Sequence, residues 1–131
     1  KTPHGLGVGL LLPYVMEACL PCARPALDRA AMAMRSGVDG RAREDGDTAN
    51  TQGDREIRWA IQTVVDLRRR IGIPHTLADI GVGGSDLARL VELSLSVRRL
   101  VDNAPGESRD EREAMVEQVV LRAYAGESDI F

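Results

Sequence analysis

Aromatic side chains are scarce in this 131-residue chain: one Trp, two Tyr and one Phe, 3% in all. A folded core must therefore be aliphatic, built from Leu, Val, Ile, Ala and Met. Two cysteines, Cys19 and Cys22, are too few for a disulfide framework. The formal net charge is -3, with acids and bases interspersed. No basic stripe stands out, and Tyr14, Trp59, Tyr124 and Phe131 are scattered, which argues against a nucleic-acid partner. Long apolar runs are missing too. The best of them, Leu6 to Leu20, falls short of the ~20 residues of a membrane span and holds Pro13 and Glu17. It lacks the basic leader and small-residue cleavage site of a secretory signal. A cytoplasmic protein with no membrane partner is expected.

What is present is helical periodicity. Hydrophobic residues make up 44% of the chain, enough for one folded domain. No stretch alternates with a period of two, and no internal repeat is visible. Gly5 to Leu20 reads as a helix buried on most sides. Gly7 and Gly9 each cost it roughly 1 kcal/mol of propensity, tolerable if another backbone or a ligand comes close. Pro13 marks a kink or a tightly packed middle, and Pro21-Cys22 ends the helix. Pro25 opens a second helix, with Leu27, Ala30, Ala31 and Met34 as its stripe. Ser36-Gly37 stops it. A Gly-, Asp- and Thr-rich stretch, about 37–53, reads as a long exposed loop.

A third helix is expected from about Asp54, its N-cap, to Ile71. Its inner face is Ile57, Ala60, Ile61, Val64, Val65 and Ile71. Arg68, Arg69 and Arg70 read as a solvated, positively charged helix end that suits the dipole. "GIPHTLADIGV" gives two turns flanking a short helical turn. Ser85 can cap a fourth helix bearing Leu87, Leu90, Val91 and Leu95. Ser108 and Glu111 form a capping box. The helix they open carries Met115, Val116, Val119, Val120 and Ala123 and stops at Gly126. The fold expected is an all-α bundle of about five main helices in a single domain, 1–131.

Few residues point to chemistry. Gly5, Gly7 and Gly9 are not a dinucleotide fingerprint: no strand precedes them and the spacing is wrong. His4, between Pro3 and Gly5 at a helix start, has the rigid, uncrowded setting of a metal ligand or proton carrier. Without context, such a histidine near a terminus is more often only a surface residue, and one imidazole cannot hold a catalytic metal, which needs about three protein ligands. His75 sits in a turn and reads as a surface residue. Cys19-Leu20-Pro21-Cys22 is a C-x-x-C with no second pair for zinc and no βαβ setting, so it reads as two reduced thiols at a helix end. A thiol switch there depends on exposure. Glu44, Asp45 and Asp47 read as a solvated charge run.

The stretch "TPHGLGVGLLLPYVME" resembles the C-terminal half of the iron-containing (group III) alcohol dehydrogenases. There a histidine followed by glycine closes a histidine-rich metal motif, and an apolar helix follows. "AIQTVVDLRRRIGIPHTLADIGVGGSDLARLVELSL" and "DEREAMVEQVVLRAY" are similar to the later helices of that family. The resemblance implies that His4 is the last metal-ligating histidine. An aspartate, two further histidines and the nucleotide-binding domain would lie upstream of Lys1. It implies a divalent metal (Fe2+ or Zn2+) and NAD(P) in the full-length protein, neither held by this segment alone. The small alcohol or aldehyde substrate would be oxidised or reduced by hydride transfer, in a homo-oligomer. The segment alone should be inactive. The other reading of the residues is a non-enzymatic helical interaction module, with an incidental histidine.

Overall fold

The computed structural model describes residues 2–39 and 51–131, with the backbone only at 38, 39, 51 and 52. The helices are α1 (His4–Ala18), α2 (Leu20–Asp39), α3 (Thr51–Arg70), α4 (Gly84–Ser96), α5 (Arg98–Asp102) and α6 (Arg109–Ala125). A 3-10 turn, Ala78–Ile80, lies between α3 and α4. No strand occurs among the described residues. This is the all-α bundle expected from the periodicity, with five main helices and the short α5. No single helix among the described residues is long and apolar enough to cross a membrane.

α1 is the hub. It packs against α2, α3 and α6, while α4 and α5 reach the bundle through α6. Those contacts account for the apolar residues on its packed sides, but the helix is less buried than its sequence suggests: of its residues only Leu10, Pro13, Tyr14 and Glu17 are buried. Leu10 is fully buried, Tyr14 is 2% exposed, and Pro13 is among the most buried side chains. Leu10 and Tyr14 form one buried cluster with Leu77, Val120 and Ala123. Pro13 leaves α1 continuous and marks its packed middle, one of the two roles expected of it. Gly9 lies under a close contact. A Cβ built there would lie 2.6 Å from Ile73 Cδ1, so a larger residue would push the Ile73 side chain of the α3–α4 connection off its place against α1.

Several local expectations are corrected. The first helix ends at Ala18, with Cys19 as its C-cap, before Pro21-Cys22. α2 starts at Leu20 but is interrupted at Ala23 (φ -113°, ψ 17°), two residues ahead of Pro25. Pro25 has no N–H to donate and its ring would clash with the carbonyl four residues back, so the chain leaves the helical region ahead of it. α2 runs past Ser36-Gly37 to Asp39 and α3 starts at Thr51, so both ends of the expected loop are helical. Residues 40–50, with Glu44, Asp45 and Asp47, lie outside the described residues. Asp54 lies in the first turn of α3 instead of capping it. Gly83, not Ser85, is the N-cap of α4. The box at Ser108 is present: its Oγ accepts from the Glu111 N–H, and the Glu111 carboxylate accepts from the Ser108 N–H.

The largest correction concerns the end of α3. Arg68 is not solvated; it is 2% exposed, while Ile71, assigned to the inner face, is 63% exposed. α3 closes in a Schellman motif: Gly72 N–H donates to Arg69 O and Ile73 N–H to Arg68 O, with Gly72 at φ +76°. The turn swings Ile71 outward and returns the chain inward at Ile73. The last inward position of the helix, three after Val65, is Arg68.

Candidate functional site

His4 is the first residue of α1 and is exposed. Pro3 precedes it in an extended conformation (φ -57°, ψ 139°), and its carbonyl accepts from Leu6 N–H and Gly7 N–H. The imidazole thus starts at a fixed backbone position. A Cβ built at Gly5 or Gly7 would meet nothing within 4 Å. The bundle does not require glycine at either place, and both positions face open space at the start of the helix. One face of α1 continues this bare surface: Val8, Leu12 and Val15, spaced four and three apart, are 50%, 41% and 41% exposed.

Among the described residues, no three of His, Cys, Asp and Glu are grouped so as to hold a metal ion. The residues present fit one corner of a metal site and not a whole one, since a catalytic centre takes about three protein ligands.

His75 is elsewhere engaged, which corrects its reading as a surface residue. Arg68 Nη2 donates to its Nδ1. A guanidinium can only donate, so Nδ1 accepts and the ring proton sits on Nε2. Burial, and then the positive charges of Arg68 and Arg69, lower the pKa of His75 below its ordinary value, against a smaller opposing pull from Asp79. Arg68 Nη1 donates to Leu10 O at 2.8 Å, and its Nε has no partner among the described residues. Tyr14 Oη donates to His75 O at 3.1 Å. The ring of Phe131 packs edge-on against Tyr14 with centroids 5.2 Å apart. Desolvation raises the Tyr14 pKa despite Arg68 nearby.

The far end of α1 is held by a residue that mattered in the sequence only as a charge in an apolar run. Glu17 is 8% exposed. Its carboxylate accepts from Arg122 Nη1 (3.2 Å), Ser128 Oγ (2.7 Å) and Asp129 N–H (2.8 Å). It ties α1 to α6 and to the segment after Gly126. The signal was there: a lone carboxylate among aliphatic residues is rarely buried unless paired. Together Arg68 and Glu17 set the angle and depth of the helix that begins at His4.

Cys19 is half-buried and Cys22 exposed, both as free thiols. Burial, and secondarily Cys22, raise the pKa of Cys19. Neither is part of a group of metal donors.

The Fe-containing alcohol dehydrogenase family, C-terminal, matches residues 1–121. The lactaldehyde reductase of Escherichia coli (strain K12) is 30% identical over 95 residues, 72% of this chain and 22% of that enzyme. The lactaldehyde reductase of Escherichia coli O157:H7 gives the same identity and coverage. The chain thus spans about a fifth of the length of these relatives. No solved structure matches. The chain belongs to the iron-containing alcohol dehydrogenase family, whose C-terminal helical domain it matches.

Proposed function

We propose that this chain is the metal-site-bearing C-terminal domain of an NAD(P)-linked alcohol dehydrogenase. His4 offers one neutral imidazole nitrogen to a divalent ion, Fe2+ or Zn2+, whose other ligands come from outside the chain. When bound, such an ion polarises an alcohol or carbonyl oxygen, and the nicotinamide carries the hydride. The observation that carries this reading is the exposed His4 ring on the glycine-bared start of a helix anchored at its other positions by Leu10, Tyr14 and Glu17. The chain's own part is to hold that ring still and leave space around it. A ligand that needs no reorganisation when the ion arrives binds it more tightly.

The apolar stripe Val8, Leu12 and Val15 is the face against which a nucleotide-binding domain packs, since a bare aliphatic stripe beside a polar site marks an interface. The substrate is a small alcohol or aldehyde; the lactaldehyde reductases named above support the aldehyde class. The working enzyme is a cytoplasmic homo-oligomer, and the chain by itself is inactive for want of the remaining ligands and the cofactor domain. The test is NAD(P)-linked oxidation of small alcohols by the intact gene product, before and after chelation. Chelator-sensitive turnover supports the reading. Absence of any nicotinamide-linked turnover across short alcohols and aldehydes overturns it.

A further inference from the structure

The C-x-x-C is not used by the proposed reaction, and its geometry gives it a role of its own. Cys19 caps α1 and immediately precedes α2, at an elbow where the two helix directions differ by 113°. Cys22 N–H donates to Cys19 O at 3.1 Å, and Cys22 Sγ donates to the same oxygen at 3.5 Å. An i to i+3 hydrogen bond of this kind closes a turn with its end Cα atoms under about 7 Å apart, within the span a disulfide can bridge. The exposures of the two thiols differ in a useful way. Cys22 opens on a groove of about 670 Å³ lined by Pro21, Pro105, Gly106, Glu107 and Met115, whereas Cys19 is half-buried and does not line it.

We propose that Cys19 and Cys22 are a reversible dithiol–disulfide site that staples the α1–α2 elbow, with a low-molecular-weight disulfide as oxidant and Cys22 as the first nucleophile. The Cys22 thiolate attacks one sulfur of the small disulfide, forming a mixed disulfide and expelling one small thiolate. Cys19, having lost its proton to solvent, then attacks the Cys22 sulfur and expels the second thiolate. Two protein thiols are oxidised and one small disulfide is reduced to two thiols. A reduced thiol pair that closes transiently is the usual form of disulfide in a reducing compartment. Glu107 and Glu111 line the groove, so a cationic disulfide gains access more readily than an anionic one.

The probe is cystamine, a cationic disulfide, added to the full chain and read by intact mass. The expected product is lighter by two hydrogens, retains no cysteamine, resists alkylation and is restored by dithiothreitol. A wild-type product that instead keeps cysteamine on either cysteine, with no closed form, overturns the proposal. In Cys19→Ser one cysteamine stays on Cys22. In Cys22→Ser addition to Cys19 is slower by at least about tenfold, as expected of the less accessible thiol. Equal rates in the two variants overturn the order of attack. Cys19→Ala serves in place of Cys19→Ser if the hydroxyl disturbs the half-buried position.

Discussion

Glu17→Gln is the sharpest probe of how α1 is fixed. The amide keeps the shape of the side chain but removes its charge and turns one acceptor into a donor. The native carboxylate accepts from a guanidinium, a hydroxyl and a backbone N–H while 8% exposed. Hydrogen bonds to charged groups contribute roughly 1.5–3 kcal/mol, and breaking a buried ion pair costs about 3–5 kcal/mol. Arg122 is 39% exposed and also pairs with Asp129, so water and that second partner take up part of the loss. The expected destabilisation is about 2–3 kcal/mol. At about 3–5 °C per kcal/mol for a domain of this size, Tm falls by roughly 6–15 °C in thermal unfolding followed by circular dichroism. The control is Glu113→Gln, which breaks the exposed Arg109–Glu113 pair and should change stability by less than about 1 kcal/mol. If the two variants melt together, Glu17 is not what holds α1 to α6.

Three further outcomes follow from the same contacts. Arg68→Met should destabilise by about 1–3 kcal/mol, because the Leu10 carbonyl and His75 Nδ1 lose their donor even though an apolar chain of similar length fills the space; Arg68→Ala should cost more, about 3–5 kcal/mol, by leaving a cavity as well, and urea unfolding separates the two. Gly9→Val should destabilise by about 1–3 kcal/mol through collision with Ile73, whereas Gly7→Ala, facing open space in the same helix, should not. The folded His75 pKa lies below its unfolded value, so the unfolded chain binds the proton first. The stability from this residue is present above about pH 6.5 and is lost as pH falls through the lower folded pKa; in His75→Gln that slope should vanish from Tm measured between pH 7 and 5.

The helices and their inner faces were legible because a period of 3.6 survives in Ile57, Ala60, Ile61 and Val65, and because Ser108-Glu111 satisfies its own local geometry. The same period, extended by one step, puts Arg68 on the buried face, but charge alone suggests solvent. Tertiary contact decided otherwise, by supplying Leu10 O and the His75 ring as acceptors. His75 and Glu17 were misjudged or passed over for a related reason: their partners lie far along the chain, out of reach of any local pattern. Helix starts at Asp54 and Ser85 were misplaced because a good capping residue is also acceptable in a first turn. His4 stood out through its Pro and Gly neighbours, and its ring is exposed at the start of α1; its role as a ligand belongs to the proposal.

The most direct test of the whole account is the metal content of the intact gene product carrying His4→Ala, with circular dichroism to check the fold. One of several protein ligands is then missing from an otherwise unchanged helix. Bound Fe or Zn and alcohol oxidation should both fall by at least about tenfold, the scale on which even outer-shell partners of a metal matter. Full metal occupancy with wild-type turnover would contradict the assignment of His4.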